Sequence, residues 1–186
     1  MDIQWQDSIH ISVPVEKVYA YLADFPRHTE WAQTLASMKL AKAGDATGHG
    51  AQYITSEKQA MRADRKPGQA LTKGMPATTL CEVTVLIPNQ RIAWKARMLP
   101  NTGMNADYVF ELSSAADDTT TLTQHVRLHI PAPMAGMFKL MFGRDLDAKS
   151  RAQYEAGLRN IKTLVESGAS QAASIRASRG STLVVA

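Results

Sequence analysis

The clearest candidate for chemistry in this sequence is a pair of charged residues, Asp147 and Arg151, four positions apart. This spacing puts both on one face of a helix, and the face continues as a stripe through Tyr154, Leu158, Ile161 and Val165. A helix face that is charged at one end and apolar at the other suits the wall of a cavity. There the pair could bind an acid or carbonyl group of a ligand, or supply a general acid and base. The alternative is that the stripe leaves the core near Gly143 and both charges lie in water.

A second group of residues could line the same cavity from predicted strands. They fall on the apolar side of alternating patterns: Trp94, Met98, Met104, Tyr108, Phe110 and Gln124. Met134, Met137 and Met141, beside Phe138 and Phe142, could form its gate, because flexible thioether side chains line adaptable apolar sites. The simpler interpretation is that all of these residues are ordinary core. A membrane-docking patch is a further alternative for these methionines and phenylalanines, although a buried helix face is more common.

Familiar catalytic and metal-binding motifs are absent from the sequence. It has no HExxH, CxxC, G-x-S-x-G or Walker A motif and no GxGxxG opening a helix, so we expect no cofactor and no metal. Cys81 falls on an apolar strand face, which favours an inert buried thiol over a nucleophile. His125 and His129 lie two pleats apart on a polar strand face, which favours solvent over a metal site. We expect His10 to be exposed and His28 to be structural or at the surface.

Alternating patterns also predict the elements that must position these side chains. A first strand over 3–13 precedes two short helices, and Asp7 interrupts its apolar side, as at a bulge or near an exposed strand start. Two weaker strands follow, and then four stronger ones at 79–87, 92–98, 104–112 and 121–130. The pattern predicts a meander of antiparallel strands with one solvated face, followed by a helical segment over 134–166.

The composition is typical of one soluble domain. The 186 residues are 45% hydrophobic and 20% charged, and the 21 basic residues are mostly interleaved with the 17 acidic ones. Because the bases are not clustered, we expect no nucleic-acid partner. The single cysteine excludes an internal disulfide. No signal peptide and no apolar run of about 20 residues is visible, so we expect a cytoplasmic protein without stable membrane insertion. The oligomeric state is left open.

Two segments depart from regular patterning. Lys58–Ala77 combines proline, glycine and five basic residues with a single acid, and we expect an extended hairpin or lid with a mobile tip. Residues 167–186 are rich in glycine, alanine and serine and are predicted to be a disordered tail. The domain would then span residues 1–166.

Several stretches resemble the START/Bet v1-like helix-grip superfamily. They are Ile9–Tyr19 with Asp24–Trp31, the turn and strand Asn89–Trp94, and Leu158–Glu166. Within it the chain looks like the bacterial SRPBCC group often labelled polyketide cyclase/dehydrase. The resemblance covers about residues 3–166 and implies an α+β fold: a curved antiparallel sheet of about seven strands wrapped around a long C-terminal helix, with two short helices after the first strand. It also implies an apolar cavity between sheet and helix.

Three functions from different classes fit this resemblance, and fold alone does not choose between them. The first, which we favour, is a non-catalytic carrier or sensor that binds a hydrophobic small molecule or lipid. The second is a cyclase or dehydratase, which needs a general acid or base in the cavity; Asp147, Arg151 and Tyr108 are the candidates. The third is a protein-interaction module resembling co-chaperone members of the superfamily, using the basic 58–77 stretch.

Overall fold

Seven strands and a long C-terminal helix account for most of the computed structural model, which describes residues 1–58, 78–97, 103–115, 118–136 and 146–180. The strands are β1 (Asp2–Ile11), β2 (Leu35–Lys42), β3 (Gln52–Glu57), β4 (Thr78–Ile87), β5 (Arg91–Arg97), β6 (Asn105–Ala115) and β7 (Thr119–His129). Between β1 and β2 lie the helix α1 (Val15–Ala23), a 3-10 turn (Phe25–Arg27) and the single helical turn α2 (His28–Trp31). Residues 132–136 are also helical, and the C-terminal helix α3 spans Leu146–Gly180.

The strands form one antiparallel sheet in the order β1-β7-β6-β5-β4-β3-β2. The first and last strands are therefore neighbours, and β1 and β2 are the two edges. The pairing of β4 with β5 shifts register between Val83 and Val85, and β2 pairs with β3 through two similar shifts. Such irregularities bend a sheet and increase its twist, which lets it wrap around a helix. The α+β fold with seven strands and two short helices after the first strand, predicted from the sequence, is confirmed.

The helix α3 is fixed to the sheet by both apolar and polar contacts. Its stripe of Leu158, Ile161 and Val165 is buried, as the spacing predicts. The Glu166 side chain accepts a hydrogen bond from the Ser12 backbone N–H at 2.7 Å, and Lys162 Nζ donates to the His10 carbonyl at 2.7 Å. These bonds place the 162–166 part of α3 beside the end of β1.

Two expectations need correction. The structure continues α3 to Gly180, so residues 167–180, for which composition predicted disorder, are helical. Alanine, glutamine and arginine recur there, and these residues favour a helix. No bulge interrupts β1 at Asp7 either: the register with β7 is continuous, and Asp7 pairs with Gln124. Asp7 is therefore a half-buried carboxylate on the inner face of the strand.

Other expectations fall partly outside the described residues. These include the hairpin or lid at Lys58–Ala77, of which only Lys58 is described, and the segment around Gly143. Within the described ranges, no helix has both the length and the apolar character needed to cross a membrane.

Candidate functional site

A pocket of about 120 Å³ lies between the inner face of the sheet, α2 and α3. All strands except β1 contribute to its wall, together with residues 31–35 and one face of α3. The apolar part of the wall consists chiefly of Trp31, Leu35, Met38, Trp94, Ala96, Tyr108 and Tyr154. A cavity of about 150 Å³ suffices to hold a benzene molecule, so this pocket is close to the size of one ring.

Short side chains are one reason why space is left here. Ala32, Ala96 and Gly157 occupy positions in the wall where a larger residue would project into the pocket. At Gly157, an added Cβ would lie 3.5 Å from Cε3 of Trp31, which is ordinary van der Waals contact. Glycine disfavours helix. Even so, α3 has this glycine in its interior, at the point where the helix borders the pocket.

Planar rings make up the firmest part of the wall. Trp94 stacks on Tyr108 with ring centroids 5.1 Å apart and an interplanar angle of 6°. The rings of His28, Phe110 and Phe25 lie 5.2, 5.4 and 5.8 Å from Trp94 at tilted or edge-on angles. These spacings are those that aromatic side chains prefer, so the rings hold one another in place without a ligand.

His28 is a buried histidine in this aromatic cluster, with only 2% of its surface exposed. Its Nε2 lies 2.8 Å from the Leu22 carbonyl oxygen. Because a carbonyl only accepts, Nε2 must carry the hydrogen, and Nδ1 of the neutral ring is left as an acceptor. Burial lowers the pKa of His28 to about 4, despite the opposing effect of the Leu22 hydrogen bond. The ring is therefore neutral near pH 7.

The sequence contained a signal for this histidine. Phe25, His28 and Trp31 follow one another at steps of three, and all three are buried. That spacing places them on one side of consecutive helical turns, so a structural role was the better of the two expectations and a surface position was wrong.

Gln124 and Cys81 are two further buried residues of the wall that carry polar atoms. Gln124 is 4% exposed, and its side-chain amide forms no hydrogen bond with any other residue in the described part of the chain. Cys81 is buried, and desolvation raises the pKa of its thiol to about 11 even though Thr55 forms a hydrogen bond with it. Its thiol is thus uncharged near pH 7, in line with the inert role expected from its position in the strand.

The structure divides the predicted site residues into three groups. Four of them line the pocket: Trp94, Tyr108, Gln124 and Tyr154. Met104 and Phe110 are buried in the core without lining it. The remaining ones are Met98, Met137, Met141 and the Asp147 side chain, which lie outside the described residues, and Arg151, which is described.

Arg151 is exposed and is not among the described residues that line the pocket. The stripe leaves the core between Tyr154, which is half-buried, and Arg151. A guanidinium group held against an apolar wall would lose its hydration, and no described residue forms an ion pair that would compensate.

The histidines of β7 lie away from the pocket. His129 Nδ1 is 2.8 Å from an Asp2 carboxylate oxygen, and His125 Nε2 is 3.2 Å from Glu111. Hydrogen bonds from Arg127 and His129 lower the pKa of Asp2 to about 2. These are half-exposed contacts of the outer face, and no group of three metal-ligating side chains occurs among the described residues.

Two solved structures have a similar fold. A START superfamily protein from Mycobacterium smegmatis superposes with a TM-score of 0.62 at 10% identity, over 88% of this chain and 97% of that one. A structural-genomics target protein from Chromobacterium violaceum gives a TM-score of 0.56 at 15% identity, over 88% and 96%. At these identities the likeness shows the fold alone, which is START-like.

A family match makes the assignment more specific. The sequence matches the family described as "Polyketide cyclase / dehydrase and lipid transport" over residues 2–166. The chain therefore belongs to this family, and its resemblance to START/Bet v1-like SRPBCC proteins is confirmed. No curated protein matches the sequence.

Proposed function

We propose that this protein binds a small hydrophobic molecule in the pocket between the sheet, α2 and α3, as a carrier or sensor. The observation that carries the proposal is the pocket itself. Its wall is built from Trp94, Tyr108 and Met38, and it adjoins a core in which many side chains are fully buried. A preformed apolar hollow with a few polar groups is the usual form of a small-molecule site.

The size of the pocket limits the ligand. Sites for drug-sized molecules usually measure about 300–1,000 Å³, whereas this pocket measures about 120 Å³. In the conformation described it accepts a molecule of about one ring. A long lipid chain would require the wall to move.

Binding without catalysis fits the wall better than a cyclase or dehydratase does. The described residues that line the pocket include no carboxylate, ammonium or guanidinium group. Of the proposed catalytic residues, Tyr108 lines the pocket and Arg151 does not. Burial lowers the pKa of His28 to about 4 and raises that of Cys81 to about 11, so neither group is tuned for proton transfer at neutral pH.

A test of the proposal is to fill the pocket. Ala96 is buried in the wall, and Ala96→Phe should abolish uptake of an apolar fluorescent probe and of small aromatic compounds. Overpacking of this kind costs about 1–3 kcal/mol, so the fold should persist with a lower melting temperature. Trp94 provides a second readout, because a ligand against its ring should change its fluorescence.

Ala20→Phe is the matched control, since it introduces the same side chain on the exposed face of α1. This variant should bind like the unmodified protein. If the unmodified protein takes up no probe, or if Ala96→Phe binds as well as Ala20→Phe, the pocket is not the binding site. Native mass spectrometry of the purified protein would then show whether any ligand is retained and what its mass is.

A further inference from the structure

Three side chains in the pocket wall have hydrogen-bonding capacity that no described residue uses. One is Trp31, whose buried Nε1–H has no hydrogen-bond partner among the described residues. The Gln124 amide, which is more than nine-tenths buried, has no partner among the residues the structure describes. His28 uses Nε2 to donate to Leu22, and no described residue donates to its Nδ1. A buried polar group normally has a hydrogen-bond partner, so three unused ones in one wall indicate that something else binds there.

The charge of the wall limits which ligand can bind there. His28 is neutral, and the other lining residues in the described ranges are uncharged. An ionised ligand would move from water into a site that offers no opposite charge, which is strongly unfavourable. The wall therefore favours an uncharged molecule.

The side chains of His28 and Gln124 lie at different places in the wall. His28 packs against Trp94 of β5, at a ring distance of 5.2 Å, whereas Gln124 belongs to β7. With β6 between them, the backbones of β5 and β7 lie roughly 10 Å apart. A single six-membered ring with polar substituents at opposite ends has about the length needed to reach both.

We propose, on the basis of the binding function above, that His28 and Gln124 select an uncharged, ring-sized molecule bearing a hydroxyl group. The hydroxyl donates to Nδ1 of His28, and the Gln124 amide binds a second polar substituent at the other end of the ring. The apolar wall between them holds the ring itself.

The first experiment compares ligands of nearly equal shape by calorimetric or fluorescence titration of the intact protein. 4-Methylphenol differs from p-xylene only by a hydroxyl in place of a methyl, and 4-methylbenzoate adds a charge. One neutral hydrogen bond changes Kd by roughly 3- to 10-fold, so the phenol should bind that much more tightly than p-xylene. The benzoate should not bind measurably.

Nitrogen NMR of His28 gives a readout that does not require a variant. The Nδ1 resonance should shift when 4-methylphenol is added and stay in place with p-xylene. If both compounds bind with equal affinity and Nδ1 does not shift, this inference is wrong while the binding function stands. If neither compound binds, the binding function itself has failed for ring-sized ligands. Tight binding of 4-methylbenzoate would also overturn the inference.

The second experiment tests the polar point at Gln124. 4-(Hydroxymethyl)phenol adds one hydroxyl to 4-methylphenol and should bind roughly 3- to 10-fold more tightly. The isosteric variant Gln124→Leu should lose this gain and still bind p-xylene. Gln4→Leu, the same change on the exposed side of β1, should keep it. A gain that survives in Gln124→Leu excludes Gln124 from the site.

Discussion

The two ends of the space between the sheet and α3 are built from different side chains. We call the end near the C-terminus of β1 the closed end. There Ile11, Leu122 and Ile161 are fully buried, and Glu166 binds the Ser12 backbone. The other end, near Trp5 and Tyr154, whose rings lie 5.4 Å apart, contains the pocket and is called the pocket end.

The difference shows how one sheet can provide both stability and a binding volume. Branched aliphatic side chains at the closed end interdigitate and leave little space, as in most protein interiors. At the pocket end, rigid rings fix the frame, and residues such as Ala96 and Gly157 are too short to fill it. The volume is therefore set by short residues between rings that cannot collapse into it.

The largest expected effect contrasts a truncation at each end. Ile161→Ala removes a fully buried side chain at the closed end and should lower the free energy of unfolding by about 2–5 kcal/mol. Met38→Ala, in the pocket wall, should cost less, because part of the Met38 surface already faces open space and makes no contact there. Urea unfolding measures both. Equal losses would mean that the two ends are packed alike.

Mild acid should lower the stability of the protein because of His28, which lies at the pocket end. The pKa of His28 is about 4 in the folded protein, against 6.5 for an ordinary histidine. Between these values the unfolded chain binds more protons, so stability falls as the pH drops from 6.5 toward 4. The free energy of unfolding falls by on the order of 3 kcal/mol over this range. Above pH 6.5 the loss is absent, because His28 is then neutral in the folded and the unfolded protein.

Variants identify the group responsible for this pH dependence. His28→Gln removes the titrating ring, and its stability should change much less between pH 6.5 and pH 4 than that of the unmodified protein. His10→Gln replaces an exposed histidine on β1 and should leave the pH dependence intact. A pH profile that is the same in His28→Gln as in the unmodified protein would show that another group is responsible.

A single methyl group added at Gly157 should change both the stability of the protein and the size of the pocket. Gly157→Ala should raise the free energy of unfolding by about 0.5–1 kcal/mol, because alanine favours helix and its Cβ meets Trp31 at an acceptable distance. The same methyl group should narrow the pocket and weaken binding of ring-sized ligands.

Gly168 is a matched control in the same helix, since an added Cβ there would contact nothing within 4 Å. Gly168→Ala should stabilise the helix without altering binding. If Gly157→Ala binds ligands as tightly as Gly168→Ala, then Gly157 does not limit the pocket.

The smallest expected effect concerns Arg151, which lies beyond the pocket end. Its side chain is exposed, so Arg151→Met should change stability by no more than about 0.5 kcal/mol and should leave binding unaltered. Thermal unfolding and a ligand titration would measure both. A loss of several kcal/mol would restore the buried pair that the sequence suggested.

The sequence predicted the scaffold better than the site. Strand alternation and the stripe Leu158, Ile161 and Val165 led to the correct sheet and buried helix face, because burial repeats with the period of each element. The pocket depends instead on where unrelated strands and helices meet. Four predicted residues reached its wall, while His28, on a helical turn far from β5 in sequence, was not proposed as part of it.

Arg151 shows what a periodic pattern cannot predict: here the pattern suggested a wall residue that the structure leaves exposed. A four-residue spacing fixes which face of a helix a residue shares, but it does not fix how far the sheet extends along that face. The pattern therefore could not distinguish a charge in the wall from a charge beyond its rim. Only the three-dimensional course of α3 past Tyr154 separates the two.

The bonds that fasten α3 near residues 160–166 would also make that region the pivot of any tilt of the helix. Lys162 holds the His10 carbonyl, and Asn160 Nδ2 donates to the Trp31 carbonyl at 3.1 Å. Tyr154 lies eight residues from Lys162, roughly 12 Å along the helix axis, so a tilt of about 10° would carry it about 2 Å. The part of α3 before residue 160 borders the pocket, where Gln153 Nε2 donates to Thr34 Oγ1 at 3.4 Å. We expect such a tilt to lengthen this bond and to admit a ligand larger than one ring, while the bonds of residues 160–166 are kept.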